Sequence, residues 1–326
     1  MLTRAQLCLA LAPAALALAL LACGSSETPA PTHTSEPGGL QPAATTQPAE
    51  ATPAIIEAAP ALAEPSIYAV DTVDPSSPGM FYTAQTGMHL VSVRVLIDNQ
   101  SQDVISVNPL NATLVDDQGL VHTSELAASD EFGQIAALDL LPGERVAGWI
   151  SFALEDGSVP ARLKYELNMF TGDFVETSIG TTMAEPELAP FSGSVSAVHL
   201  GDVSTVSGYS LTAEELVDPS TPSIFFTPAE GFRLVSVRIL LRNESATDAL
   251  SVNPLYCFFV DDNGFVYSAE LGASDLGQID SVDLGLGEAA RGYVTFQVPS
   301  GREPLYVRFS TDFWGGEQPL LVGLQD

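Results

Sequence analysis

The chain has 326 residues, 41 of them Asp or Glu and 11 Lys or Arg, for a formal charge of −30. That charge excludes nucleic acid and an anionic membrane surface as electrostatic partners, because both need clustered cations. With 46% hydrophobic residues and a length near two ordinary domains, the chain can still bury a sizeable core.

The first residues read MLTRAQLCLALAPAALALALLACGSS. Arg4 and the amino terminus make a positive start, an apolar run covers Ala5 to Ala22, and polar residues resume at Gly24. That is the layout of a secretory signal. The ending Leu20-Leu21-Ala22-Cys23 resembles the lipobox of bacterial lipoproteins, which implies cleavage before Cys23 and a diacylglycerol thioether on its sulfur. Residues 1–22 are therefore expected to be a signal peptide. Two or three acyl chains on Cys23 would hold the mature chain at a bacterial membrane, on the extracytoplasmic side. The alternative is an uncleaved anchor; Pro13 and the Ala-rich composition favour cleavage. Cysteine usage agrees: Cys8 would be removed and Cys23 acylated, leaving Cys257 alone in the apolar run Tyr256–Val260, as a small buried hydrophobe. Residues 23–64 are rich in Pro, Ala, Thr, Ser and Glu and have no Lys or Arg, the composition of a disordered tether.

Beyond the tether the sequence repeats itself. Gly87-Met-His-Leu-Val-Ser-Val-Arg-Val-Leu-Ile-Asp-Asn99 returns as Gly231-Phe-Arg-Leu-Val-Ser-Val-Arg-Ile-Leu-Leu-Arg-Asn243. Ser106–Leu110 returns as Ser251–Leu255, and Val115-Asp-Asp-Gln-Gly119 as Val260-Asp-Asp-Asn-Gly264. Gly143-Glu144 and Gly148–Phe152 return as Gly287-Glu288 and Gly292–Phe296. The lead-in recurs as well, with Val73–Ser76 and Phe81 matching Val217–Ser220 and Phe225. Two copies of one domain follow, over 65–175 and 191–326, with a Thr-, Glu- and Pro-rich linker at 176–190.

Each copy alternates with the period of a β-strand. Val91, Val93, Val95 and Ile97 share one face and Ser92, Arg94, Leu96 and Asp98 the other. The Asp-Asp-x-Gly segments carry hairpin chemistry. Several short strands with one apolar face predict an all-β chain of two tandem immunoglobulin-like sandwiches. The motif order (long strand ending in Asn, Ser-Val-Asn-Pro, Asp-Asp-x-Gly, Pro-Gly-Glu, Gly-Trp-Ile-x-Phe) resembles the immunoglobulin-like "domain of unknown function" of many extracytoplasmic lipoproteins. That family is structurally grouped with secreted mycobacterial-type immunoprotective antigens. The resemblance spans about residues 66–170 and 208–312 and implies an Ig-like sandwich at the cell surface, without catalytic residues to carry over. Leu286-Gly-Glu288 lacks the Pro of the first copy.

Catalytic patterns are absent from the sequence: there is no Gly-x-Ser-x-Gly, His-Glu-x-x-His or P-loop. Of the four histidines, His33 lies in the tether, His89 aligns with Arg233 and His122 with Tyr267, and His199 is the fourth. No catalytic residue is assigned and no cofactor is expected. Asp116, Asp117, Asp261 and Asp262 have the oxygen chemistry of Ca²⁺ ligands, with Asp130 and Asp275 as further donors, but a hairpin turn is the preferred reading. Trp149 and Tyr293 occupy one repeat position on the face away from the apolar one, where an aromatic can anchor a ligand or be covered by a loop. Phe313 and Trp314 are expected to pack on the core, and the sequons at Asn99, Asn111 and Asn243 are read as chance matches.

The sequence thus predicts a noncatalytic, lipid-anchored binding or structural module of the bacterial envelope, whose partner is a protein or glycan. The alternatives are a Ca²⁺-dependent adhesion module and a carboxylate-based hydrolase of envelope glycans. The acidity belongs to both copies: 15 acids against 4 bases in 65–175, and 18 against 6 in 191–326. It is a surface property rather than one patch.

Overall fold

The computed structural model describes residues 55–56, 64–80, 82–129, 133–168, 173–180, 186–191, 195–196, 198–244, 248–311 and 318–325. The fold is all-β: two tandem immunoglobulin-like sandwiches, with 3₁₀ turns and no α-helix among the described residues.

A two-residue strand, β1 (Ile55–Ile56), precedes the first domain. That domain contains β2 (Ser66–Val73), β3 (Met88–Asp98), β4 (Ile105–Val107), β5 (Ala112–Asp116), β6 (Val121–Glu125), β7 (Leu138–Leu140), β8 (Arg145–Glu155), β9 (Pro160–Asn168) and β10 (Asp173–Ser178). After β11 (Val195–Ser196) the second domain follows: β12 (Val203–Val206), β13 (Tyr209–Val217), β14 (Phe232–Asn243), β15 (Leu250–Val252), β16 (Cys257–Asp261), β17 (Val266–Ser268), β18 (Val282–Leu284), β19 (Ala289–Pro299), β20 (Pro304–Phe309) and β21 (Leu320–Gly323).

One sheet of each sandwich has the order β2-β3-β8, repeated as β13-β14-β19 with β12 added beside β13; the other has β6-β5-β9-β10, repeated as β17-β16-β20-β21. In the first domain β6 joins the two sheets, pairing with β5 through Val121–Thr123 and with β8 through Ser124 and Glu125. The second domain makes the same crossing with a single bridge, Ala269 to Phe296. Bulges recur too, between Ala69 and Asp71 in β2 and between Ala213 and Glu215 in β13.

Val91, Val93, Val95 and Ile97 are buried as the alternation requires, with Val235, Val237, Ile239 and Leu241 repeating them. The opposite face differs from expectation: Ser92, Leu96 and Asp98 are buried as well. The segment after β2 lies across it, and three hydroxyls satisfy one another there. Ser92 Oγ donates to Ser76 Oγ at 2.9 Å and lies 2.8 Å from Ser151 Oγ. The second domain repeats this with Ser220, Ser236 and Thr295, extended by Ser274. A buried hydroxyl without a partner would cost about 1–3 kcal/mol, so the chain of hydroxyls is what allows serine at the centre of the sheet.

Two boundaries depart from the sequence expectation. Ile55–Ile56, inside the expected tether, pairs antiparallel with Val195–Ser196. Glu176, Thr177 and Ser178, expected to open the linker, belong to β10, where Glu176 faces Lys164 and pairs with it at 3.1 Å. Further along the linker, Ala189 accepts a hydrogen bond from Arg145 Nη2, and Phe191 packs against the turns at Gly143 and Gly264. A Cβ on Gly264 would come within 2.5 Å of the Phe191 ring.

That packing marks a contact between the sandwiches. Arg145 N–H donates to Gly264 O, and the Arg145 side chain pairs with buried Asp98 at 3.2 Å. Glu144 is fully buried at its centre. Its Oε2 accepts the Leu141 N–H at 2.8 Å, closing its own turn, and its Oε1 accepts the Tyr306 hydroxyl at 2.7 Å. Arg308, buried over the Phe258 ring, donates through Nη2 to Glu144 Oε2 at 3.2 Å and to Asp139 O. Its Nε lies 3.1 Å from Glu144 Oε1 as an ion pair without an aligned hydrogen bond. Burial, with the Glu144 carboxylate beside it, pushes the Tyr306 phenol well above its usual range, which keeps it a donor.

Candidate functional site

Gly148 and Gly292 interrupt β8 and β19 for a steric reason. The loop after β6 runs back across β8 as a one-residue parallel bridge, Gln134 to Trp149, with Trp149 N–H donating to Gly133 O and Ile135 N–H to Trp149 O, both at 3.0 Å. A Cβ on Gly148 would sit 2.5 Å from the Ile135 backbone. The second copy repeats the crossing, with Gln278 beside Tyr293 and the same 2.5 Å approach of Gly292 to Ile279. Glutamine side chains stiffen the crossing loop: Gln134 Oε1 accepts the Ala127 N–H at 2.9 Å, and Gln278 Oε1 the Gly272 N–H at 2.8 Å.

This crossing creates a shallow depression at Trp149, lined also by Glu125, Ala128, Ser129, Gln134 and Ser151. The second domain presents Glu270, Ser274, Gln278, Tyr293 and Thr295 at the same repeat positions. Trp149 is half-buried beside its covering loop. Tyr293 is tied down further: its hydroxyl donates to Glu215 Oε2 at 2.7 Å and the Arg238 guanidinium lies 6.0 Å from its ring. The Glu215 bond raises the Tyr293 phenol above its usual range, with burial adding to it. Both expected aromatic anchors are thus at one structural place, each partly covered. Burial raises the Glu270 carboxyl, while at Tyr82 burial and then the Glu125 charge raise the phenol.

The loop after β2 adds to this surface. Gly79 N–H donates to Ala128 O at 2.7 Å, and Ser223 N–H to Ala273 O at 2.8 Å. Ser223 Oγ also donates to Gly272 O at 2.7 Å. These bonds hold Ile224 and Phe225 in solvent, 86% and 90% exposed, beside Leu271 at 54%. Met80 and Leu126 hold the matching places of the first domain at 82% and 50%. Composition and alternation did not single these residues out. The signal lay in the repeat itself, where Phe225 answers Phe81.

The paired aspartates act as turn caps. Asp116 Oδ1 accepts the N–H groups of Gln118 and Leu120, and its Oδ2 lies 3.1 Å from His122 Nε2. Asp261 Oδ1 accepts those of Asn263 and Phe265, and its Oδ2 the Tyr267 hydroxyl at 2.8 Å. Asp117 and Asp262 reach the next hairpin, accepting from Val159 N–H and Glu303 N–H. These contacts engage both carboxylate oxygens of Asp116 and Asp261 and one oxygen each of Asp117 and Asp262. Among the described residues no three His, Cys, Asp or Glu side chains gather as a metal site.

The remaining histidines also have structural partners. His89 pairs with Asp74 at 3.1 Å, where Arg233 of the second domain makes a two-pronged pair with Asp218 at 2.6 and 2.7 Å. His199 Nδ1 lies 3.4 Å from Gln325 O. Cys257 is buried, and burial pushes its thiol up to about 12, so it stays protonated. Asn99 and Asn243, which open two of the sequons, are buried with their amides bonded to Leu140 O and Leu284 O. Cys8, Cys23, His33, Asp130, Phe313 and Trp314 lie outside the described residues.

The profile of a family described as "Domain of unknown function (DUF4352)" matches residues 61–176 and 198–319, one match to each sandwich. The chain belongs to the DUF4352 family. Among solved structures, a Bacillus subtilis protein described as a lipoprotein (ycdA) is 10% identical over 37% of this chain and 37% of its own length, with a TM-score of 0.32. The secreted Mycobacterium tuberculosis protein MPT63 is 15% identical over 38% of this chain and 94% of its own, with a TM-score of 0.30. This chain therefore spans little more than a third of the Bacillus protein's length. Comparison with curated proteins returned no match.

Proposed function

We propose that this DUF4352 chain is a noncatalytic binding module of the bacterial envelope, acylated at Cys23 and held outside the membrane by the Pro- and Ala-rich segment that follows. The observation that carries the binding reading is the duplicated surface. In both domains a half-covered aromatic, a glutamate and a glutamine stand beside a hydrogen-bonded loop that exposes large apolar side chains. Solvent-facing residues of that kind on hydrogen-bonded loops suit recognition. His89 and His122 each pair with an aspartate, Asp74 and Asp116, and Asp116 also caps its own turn. The lipobox Leu20–Cys23 supports the address.

Acyl labelling in a bacterial host tests the anchor. The full-length protein is expected to incorporate labelled fatty acid and to partition into the detergent phase, while Cys23→Ala incorporates none and stays aqueous. A Cys23→Ala protein that still partitions into detergent after signal cleavage would refute lipid attachment.

A further inference from the structure

Two exposed apolar loop tips occupy equivalent places in two domains, and in each the acidic loop beside the tip carries no cation. Residues 219–231 and 269–281 contain Glu230, Glu270, Asp275 and Asp280 and neither Lys nor Arg; among the described residues of 75–87 and 124–136 the charged side chain is Glu125, likewise with no base. Ile224 and Phe225 are not held out by slack backbone. Ser223 fixes the start of the tip through two hydrogen bonds to the neighbouring loop, and Pro222 bridges Ser274. Leaving two large apolar side chains in water forgoes roughly 1.5–3 kcal/mol each of burial energy, which a loop this well anchored has no local reason to do. Apolar tips flanked by acidic loops, with the nearby Arg238 paired to Glu214 and Glu215, have the composition of a recognition surface.

We propose that these tips dock a cationic polypeptide segment bearing aromatic or branched aliphatic side chains. The apolar side chains pack on Ile224, Phe225 and Leu271 while lysines or arginines meet Glu270 and Asp275. The acidic rim repels an anionic lipid surface and attracts a basic chain, which selects polypeptide over membrane as the occupant. Because the first domain repeats the arrangement at Met80 and Leu126, a partner with two such segments engages both sites and gains by effective concentration. The proposal rests on the binding-module reading and names its partner class.

A random peptide array probed with the full-length protein and with an Ile224→Ser/Phe225→Ser variant tests it. The changed side chains are solvent-exposed, so the variant is expected to unfold at the wild-type temperature. Peptides bound by the wild type and weakened about tenfold or more on the variant should carry net positive charge and an aromatic or branched residue, as for an interface anchor. A second variant, Glu270→Gln/Asp275→Asn, should relax the preference for positive charge. An identical set of bound peptides on wild type and Ile224→Ser/Phe225→Ser overturns the proposal, as does selection of neutral or acidic peptides. So does sedimentation with neutral phosphatidylcholine vesicles that the same variant abolishes, since lipid would then be the occupant. An envelope partner that crosslinks equally well to both proteins sinks the docking site while leaving the binding-module reading intact.

Discussion

Asp116 and Asp261 stand at one repeat position, cap the same turn and are both buried, yet their carboxyls shift in opposite directions. At Asp116 burial opposes ionisation, but hydrogen bonds from His122 and from the Leu120 and Gln118 amides outweigh it and hold the carboxyl below its ordinary value. At Asp261 burial prevails over the bonds from Phe265, Tyr267 and Asn263 and over Arg302, and the carboxyl is raised. A depressed carboxyl contributes stability that is complete above the unfolded aspartate value of about 3.9 and is lost as pH falls through the lower folded value. A raised one carries a penalty above its folded pKa that disappears by the time pH has fallen to the unfolded value. Urea unfolding midpoints measured from neutral to acid pH should therefore show the wild-type advantage over Asp116→Asn shrinking as pH falls. Relative to Asp261→Asn the wild type should instead gain. Parallel trends for both variants would contradict the assignment. The sequence marked both aspartates as turn residues and aligned His122 with Tyr267. That both side chains serve as donors to the turn carboxylate became visible only with the hairpin closed.

At the scale of elements, the strands themselves were legible. Alternation placed Val91 to Ile97 and Val235 to Leu241 on the core face, and the Asp-Asp-x-Gly segments turned where hairpin chemistry said they would. The second face of β3 and β14 was less legible, because alternation alone does not show that the segment after the preceding strand is laid over Ser92 and Ser236. The linker was misplaced for a similar reason: Thr, Glu and Ser look like spacer composition, but Glu176 and Thr177 complete an edge strand by pairing with Lys164 and Leu163. Gly148 and Gly292 show how a repeat can point to a crossing. Each stands mid-strand, where glycine is disfavoured, because another backbone passes 2.5 Å from where its Cβ would be. Gly292→Ala should destabilise the second domain by about 1–3 kcal/mol or more, as overpacking does, and should release the loop that holds Gln278. Hydrogen exchange of the Ile279 and Tyr293 amides would report this; unchanged protection would argue against the crossing.

At the scale of the molecule, the two copies kept their internal machinery and diverged at the face they share. Glu144 and Glu288 close the same turn, through Leu141 N–H and Gly285 N–H, but Glu144 is buried by the second domain and Glu288 is exposed. Where the first domain has Lys164 on its outer sheet the second has Arg308, and Arg145 with Asp98 is replaced by Ala289 with Arg242. These departures from the repeat were readable in the sequence, although nothing in composition said that they formed one contact. The tandem is thereby a joined pair with an exposed apolar tip on each domain rather than two beads on a string. Thermal unfolding of Glu144→Gln beside Glu288→Gln tests this most directly. Removing the charge partner of a buried arginine costs about 3–5 kcal/mol, whereas the exposed turn cap is worth about 0.5–1.5 kcal/mol. Glu144→Gln should therefore lower the unfolding temperature several times more than Glu288→Gln does. Equal, small shifts for the two variants would contradict the buried Glu144–Arg308 contact and, with it, the joined pair.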